Sequence, residues 1–276
     1  MSVPTKPPLW HIRSYDPVGH CIYCHSTSDL SDEHIIPFGL LPKWGDWVLP
    51  KASCGECRKI TKKFEGSVQQ TMLGPLREKL GLKTRRRPKK KYTREVHHRD
   101  GTVERRELSA DDLPAICIGF GWQAPGLLRG VAPSNDLAGK IVFRYPEGEL
   151  ARKADPNDAA IQFGRAYPMD FARMLAKIAH VGAIAEHGQS SFTPALPDLI
   201  LGRDLMLSSY LVGGDTTERP EDEQVLHNIY RQDCRIQGVH YMMMAIRLFA
   251  FMGMPRYHII VGKKTDQSPP TLPYWR

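Results

Sequence analysis

The chain has 276 residues, of which 41% are hydrophobic and 25% charged, a composition typical of globular proteins with room for one large or two modest domains. Residues 1–8 contain no apolar signal segment, and no uninterrupted run of 18 apolar residues occurs. We therefore expect a cytoplasmic protein that neither spans a membrane nor carries a secretory signal.

The formal net charge of +8 has its main source in one segment, residues 83–94, which contains eight basic residues and no acidic one. Such a run can be a solvated surface, but it can also contact phosphates in a salt-sensitive, sequence-independent way. The expected partner is therefore nucleic acid, with DNA favoured, and not a membrane. The candidate nucleic-acid-binding residues are Arg85, Arg86, Arg87, Lys89, Lys90 and Lys91.

Residues 1–19 are rich in proline and are predicted to form a tail. The first feature predicted after this tail is a metal site. Four of the six cysteines form two Cys-x-x-Cys pairs, Cys21/Cys24 and Cys54/Cys57. Thiols stay reduced in the cytosol and four thiolates complete a tetrahedral shell, so we predict structural zinc rather than disulfide bonds. The 29 residues between the pairs (25–53) exceed the about 15 to 20 of a zinc-ribbon loop, so a further element must lie inside.

Other histidines and cysteines have simpler interpretations. His20 and His25 flank the first pair and are alternative zinc ligands, although four thiolates already close the shell. Cys117 and Cys234 lie in apolar stretches, and we expect both to be small buried hydrophobic residues.

Between the cysteine pairs, the segment Glu33-His34-Ile35-Ile36-Pro37 places an acidic residue beside a histidine, followed by two β-branched residues and a proline. This combination points to nuclease chemistry. A helix is predicted from Ser53, which can cap its first turn, to Gly74-Pro75, which ends it. The apolar residues at helical spacing are Ile60, Phe64 and Val68.

The remaining predicted elements form one group at residues 83–108 and a second group at residues 115–262. Residues 83–94 form a basic linker, and residues 94–108 form a polar hairpin with its turn at Asp100-Gly101. A helix is predicted at 168–187, because Pro168 suits a first turn and Gly188 a helix end. Its apolar stripe consists of Phe171, Met174, Leu175, Ile178 and Val181. Strands are predicted at 115–120, 139–145, 225–237, 239–251 and 256–262.

The order of these features resembles that of HNH endonucleases, the zinc-bound branch of the His-Me finger (ββα-metal) nucleases. The resemblance rests on Cys21-Ile22-Tyr23-Cys24, Glu33-His34-Ile35-Ile36-Pro37 and Cys54-Gly55-Glu56-Cys57, and it covers residues 18–68. It implies an α+β protein in which a zinc-stabilised ββα-metal module at 20–82 follows the tail at 1–19. The basic linker and hairpin at 83–110 then lead to an α+β domain of unassigned fold and role at 111–276.

The resemblance also implies phosphodiester hydrolysis with His34 as the general base, because an imidazole can accept a proton from water at neutral pH. Glu33 matches the acidic residue that binds a catalytic Mg²⁺ or Mn²⁺ ion in this family, and Asp32 is the alternative ligand. Adjacent residues of a regular strand face opposite sides. A bulge or strand end near Asp32 is therefore required for Glu33 and His34 to serve one site.

Two positions depart from the family pattern. The central Asn is matched best by Asp46, which could orient His34 by accepting a hydrogen bond from the ring. The last ligand position holds Arg58, which cannot bind a cation. Thr61 or Glu65 could supply an oxygen instead, or Mg²⁺ could be held by fewer protein ligands together with water. These departures leave two alternatives, a catalytically inactive zinc module that binds nucleic acid and a protein-interaction scaffold that uses zinc only for folding.

Overall fold

The structure, a computed structural model, describes residues 14–43, 45–84, 91–145, 158–161, 165–215 and 225–265. Within these residues helices and antiparallel sheets are mixed, which confirms the predicted α+β class. In the same part of the chain, no helix combines the length and the apolar character needed to cross a membrane.

The N-terminal unit is an antiparallel hairpin that leads directly into a helix. Strand β1 (Leu30–His34) pairs with β2 (Val48–Cys54), and α1 (Gly55–Ser67) starts at the next residue. The chain continues through a π-helical turn (Val68–Met72) into α2 (Gly74–Lys79). The order is therefore strand, strand, helix, with one cysteine pair before β1 and the other at the junction of β2 and α1.

Both predicted ends of the first helix were wrong. Ser53 lies in β2, and Cys54 takes the N-cap position in an extended conformation. Gly74-Pro75 does not end a helix but begins α2, because the first turn of a helix does not need the N–H that proline lacks.

Two small sheets follow. The predicted hairpin is confirmed as β3 (Tyr92–His98) and β4 (Val103–Leu108), with Gly101 at a left-handed φ of 86° in the turn. Strand β7 (Asp158–Ile161) pairs with the other side of β3. The second sheet pairs β5 (Cys117–Gly121) with β6 (Lys140–Arg144), and the short α3 (Gly126–Arg129) lies between them in the chain.

The C-terminal region has one long helix and one antiparallel sheet. Helix α4 (Pro168–His187) has the predicted bounds. The sheet has six strands in the described residues, with β10, β12, β13 and β8 in order, β11 beside β12 and β9 beside β13. The bounds of the remaining elements are β8 (Phe192–Pro194), α5 (Pro197–Leu201), α6 (Leu207–Leu211), β9 (Val212–Gly214), β10 (His227–Arg231), β11 (Cys234–Ile236), β12 (Val239–Leu248) and β13 (Tyr257–Lys264).

The apolar core is continuous between the N-terminal unit and the C-terminal region. Helix α4 packs against α1 and α5 and also against β12 and β13. The predicted stripe of α4 is fully buried, and alanines on its other sides are buried as well. Residues of the hairpin such as Ile35 and Leu49 belong to the same core cluster as Ile178 and Ile259. Side chains of α4 therefore lie beneath the N-terminal hairpin.

His180 is one of two polar residues that α4 buries against the N-terminal unit. Its Nε2 lies 3.1 Å from the carbonyl oxygen of Ile22, between the first two cysteines, and its side chain has no exposed surface. A carbonyl can only accept, so this nitrogen carries the proton and donates. Burial lowers the pKa of His180 from 6.5 to about 4.

We expect His180→Gln to reduce the acid sensitivity of folding. Because the pKa of His180 is lowered in the folded state, the unfolded chain binds a proton that the folded chain does not. The stability that the folded chain gains from keeping His180 neutral is fully present above pH 6.5 and is lost as the pH falls towards 4. The loss is on the order of 3 kcal/mol. Urea unfolding of the zinc-loaded proteins at pH 7 and pH 4.5 measures it, with the exposed His97→Gln as the control. Equal pH dependence in wild type and His180→Gln would contradict the interpretation.

Candidate functional site

The four predicted zinc ligands converge on one point. The Sγ atoms of Cys21, Cys24, Cys54 and Cys57 all lie within 4.8 Å of one another, and those of Cys24 and Cys54 are 3.6 Å apart. Tetrahedral zinc with Zn–S bonds of about 2.3 Å separates its sulfurs by about 3.8 Å, whereas a disulfide needs about 2.05 Å. All four cysteines are free thiols. The donor set and its spacing fit a metal ion such as zinc.

Backbone hydrogen bonds hold the first cysteine pair in place. The N–H of Cys21 donates to the carbonyl of Ser26, and that of His25 donates to the carbonyl of Cys21, both at 2.8 Å. The tight turn puts His25 at a left-handed φ of 63°. The N–H of Ile22 donates to the carbonyl of Ala52 at 2.9 Å, which ties this turn to β2 near the second pair.

The alternative zinc ligands lie outside the four-sulfur cluster. Nε2 of His20 is 2.6 Å from Oε1 of Gln189, beyond the end of α4, and the ring of His25 stacks on that of His20 with the centroids 5.8 Å apart. Of the remaining cysteines, Cys117 is fully buried as predicted, whereas Cys234 is only partly buried.

The predicted bulge near Asp32 is present. The pairing of β1 with β2 shifts between Ser31 and Glu33, and Lys51 on β2 takes a left-handed φ of 49° at this point. The N–H of Lys51 donates to Oδ1 of the exposed Asp32 at 3.1 Å. Asp32 therefore stabilises the bulge.

The bulge does not bring Glu33 and His34 to one side of the sheet. It ends before Glu33, and from there the pairing is regular, with Glu33 opposite Leu49 and His34 opposite Val48. Consecutive residues of a regularly paired strand project on opposite faces. Glu33 accordingly points into the interior, while His34 projects to the other side.

His34 lies beside Asp46, the residue that was predicted to orient it. Their Nε2 and Oδ1 atoms are 3.6 Å apart, and the side chains are 24% and 63% exposed. The ring of Phe38 packs edge-on against that of His34, with the centroids 5.5 Å apart. Nζ of Lys83 is 3.8 Å from the Asp46 carboxylate and 5.1 Å from the Phe38 ring. An imidazole, a carboxylate and an ammonium thus share one solvent-accessible corner.

Glu33 and Glu65, the predicted ligands of a catalytic ion, instead surround a lysine of α4. Nζ of Lys177 lies 2.8 Å from Oε1 of Glu33 and 3.0 Å from Oε1 of Glu65, and it also donates to the carbonyl oxygen of His34. The two carboxylates do converge, but a covalently attached cation fills the position between them. With Lys177 in place, these residues do not fit a divalent ion.

The other predicted ligand positions add no oxygen directed at His34. Arg58 is exposed on α1. Thr61 is buried, and its Oγ1 donates to the carbonyl of Arg58 at 3.2 Å, so it bonds to its own helix.

Arg77 on α2, which the sequence patterns did not single out, fixes the start of the basic segment near this corner. Its guanidinium donates to the carbonyl of Gly39, to that of Gln69 at 3.0 Å and to that of Lys83 at 3.2 Å. Burial lowers the pKa of Arg77, and the carbonyls satisfy its donors. The N–H of Lys83 donates to the carbonyl of Leu41 at 2.9 Å, so both backbone groups of Lys83 are held.

Most of the predicted nucleic-acid-binding segment lies outside the described residues, namely Arg85, Arg86, Arg87, Lys89 and Lys90. Lys91 is described. Its exposed ammonium is 3.1 Å from Oε2 of Glu107 on the neighbouring strand. A surface pair of this kind contributes little to stability, so Lys91 can exchange Glu107 for another anion at small cost.

Comparison of the chain with protein-family models, with curated protein sequences and with solved structures finds no match.

Proposed function

We propose that this chain is a metal-dependent HNH-type endonuclease that hydrolyses phosphodiester bonds in DNA, with His34 as the general base. The observation that carries the proposal is the pairing of His34 with Asp46 at 3.6 Å, on a hairpin that four cysteines join to the following helix. The strand–strand–helix order of this unit, with one cysteine pair before β1 and the other at the junction of β2 and α1, supports the same assignment.

In this reaction the His34 imidazole takes a proton from water, and the resulting hydroxide attacks phosphorus. The bond from phosphorus to the 3′-oxygen breaks, and the 3′-oxygen leaves and takes a proton from solvent. Asp46 lies 3.6 Å from the ring, just beyond hydrogen-bond distance, and its negative charge favours the imidazolium that forms. Lys83 places a positive charge at the same corner, where it can bind a phosphate oxygen of the substrate.

A divalent ion, Mg²⁺ or Mn²⁺, would neutralise charge on the scissile phosphate. Since Lys177 occupies the position between Glu33 and Glu65, Asp46 is the predicted carboxylate that remains to hold such an ion, which would take the place of the Lys83 ammonium beside it. Mg²⁺ commonly keeps several water ligands, so one carboxylate together with the substrate phosphate can hold it.

The test is incubation of supercoiled plasmid with the zinc-loaded protein in Mg²⁺, in Mn²⁺ or in metal-free buffer. We expect nicked or linear product only with a divalent ion, and slower cleavage by Asp46→Asn. Product formation at equal rates in metal-free buffer would contradict metal dependence, and no product under any condition would contradict the nuclease assignment.

A non-catalytic zinc module that binds nucleic acid is the second candidate. Two observations favour it: Arg58 stands at a position that usually supplies a metal ligand, and Lys177 fills the position between Glu33 and Glu65. This candidate requires salt-dependent binding of DNA without cleavage. A metal-dependent product that disappears in His34→Ala excludes it.

DNA binding, which both candidates share, should depend on the basic segment. Replacing Lys89, Lys90 and Lys91 with glutamine should reduce the slope of log affinity against log salt by up to about 3, since each phosphate contact contributes about 0.9. Fluorescence anisotropy of a labelled duplex between 50 and 200 mM salt (about the range over which such contacts weaken) measures the slope. A matched variant removes the same charge elsewhere, at the exposed Arg129, Arg203 and Arg235. If both variants lose affinity equally, the segment has no specific role.

A further inference from the structure

Lys177 is buried where three parts of the molecule meet. It belongs to α4, while its partners belong to β1 and α1, and the residue has no exposed surface. Its ammonium contacts one oxygen of Glu33 at 2.8 Å, one of Glu65 at 3.0 Å and the backbone carbonyl of His34. An ammonium group has three N–H donors, and three oxygen acceptors surround it here.

The oxygens around Lys177 are those that a hard cation prefers. Two carboxylates and one backbone carbonyl converge on a single point, and Mg²⁺, Mn²⁺ and Ca²⁺ are bound by such groups in proteins. The position therefore has the donor chemistry of a divalent-cation site, but it is filled by a side chain of the protein.

The ammonium remains charged at this position. Burial by itself lowers the pKa of Lys177, but the charges of Glu33 and Glu65 outweigh it and hold the pKa above its ordinary value. A divalent ion approaching the carboxylates would meet this positive charge, and binding would require the lysine to leave two carboxylates and a backbone carbonyl that surround its ammonium.

We propose that the Lys177 ammonium is the permanent cation of this site, and that it replaces a divalent ion between Glu33 and Glu65. The wild-type protein binds no divalent ion there. Removing the lysine side chain unmasks a site for a hard cation such as Mn²⁺. This inference concerns metal binding and holds whether or not the protein cleaves DNA.

Mn²⁺ titration of the zinc-loaded full chain tests the proposal, with free Mn²⁺ followed by electron paramagnetic resonance and Tm measured in parallel. Wild type should show no Mn²⁺ uptake that depends on Glu65. Lys177→Ala should take up one Mn²⁺ more than wild type, and its Tm should rise by about 5 °C when Mn²⁺ is about 100 times its Kd. Adding Glu65→Gln to Lys177→Ala should abolish both effects, and Lys62→Ala, which removes an exposed lysine of α1, should behave like wild type.

Either of two results would overturn the proposal. One is a folded Lys177→Ala protein that takes up no Mn²⁺. The other is a wild-type protein that binds Mn²⁺ and loses it in Glu65→Gln, because the ion would then displace the lysine. If Lys177→Ala does not fold, the comparison of wild type with Glu65→Gln decides alone, and equal Mn²⁺ uptake by these two supports the proposal.

Discussion

Replacing Cys54 with serine is expected to abolish zinc binding and to unfold the N-terminal unit. Cys54 ends β2, caps α1 and contributes one of the four sulfurs, so the substitution removes a ligand at the junction of two elements. Structural zinc contributes about 10–16 kcal/mol of apparent binding free energy in small modules, whereas whole domains are stable by about 5–15 kcal/mol. The core of this unit is continuous with that of α4 and the large sheet, so the thermal transition of the entire chain should move to lower temperature.

Elemental analysis of zinc per chain and thermal unfolding measure this effect. Cys234→Ser is the matched control, because Cys234 is partly buried and lies outside the four-sulfur cluster. It should keep one zinc ion and nearly the wild-type Tm. A Cys54→Ser protein with full zinc content and an unchanged Tm would show that these sulfurs do not hold the fold.

His34→Ala is expected to lower the rate of plasmid cleavage by about 10²- to 10⁴-fold, the usual contribution of a general base. The fold should survive, because the side chain is 24% exposed and its ring packs edge-on against that of Phe38 near the surface. Zinc content and Tm should therefore stay close to those of the wild type, which separates loss of chemistry from loss of structure.

The control for this variant is His97→Ala, which removes an exposed histidine from β3, a strand of a different sheet. Cleavage by His97→Ala should equal that of wild type. Cleavage by Asp46→Asn should be slow, because the substitution removes the negative charge beside His34 and the carboxylate that would hold the divalent ion. A His34→Ala protein that cleaves at the wild-type rate would eliminate His34 as the base.

Local signals predicted the elements that local chemistry determines. Helix α4 was predicted to the residue, since Pro168 and Gly188 mark its ends and its apolar stripe has the helical period. The β3–β4 hairpin was predicted from Asp100-Gly101. The convergence of the four cysteines was predicted from their spacing alone, since that spacing suits a tetrahedral ion.

Tertiary contacts determine the strand and helix bounds that the sequence patterns did not predict. Residues 225–237 were predicted as one strand, but they form β10 and β11, two separate strands that both pair with β12. Helix α1 continues into a π-helical turn, and α2 then begins at Gly74-Pro75. No sequence signal predicts the change from α-helix to π-helix.

In the candidate site too, local motifs predicted some residues, whereas residues that act through tertiary contacts were missed. The His34–Asp46 pair was predicted from motif position, and the two residues do lie together. Lys177 was missed because it is 143 residues from its partner His34, and contacts over such separations have no local pattern. A signal was nevertheless present: Lys177 and His180 are polar residues within an otherwise apolar segment of α4, and both bind the N-terminal unit.

X-ray absorption at the zinc edge of the purified 276-residue chain tests the central claim most directly, namely that four sulfurs close a metal site that holds the hairpin of His34 against α1. We expect one zinc per chain with a first shell of four sulfurs at about 2.3 Å. A shell containing nitrogen at about 2.0 Å, as ligation by His20 or His25 would give, or a folded protein without zinc, would contradict it.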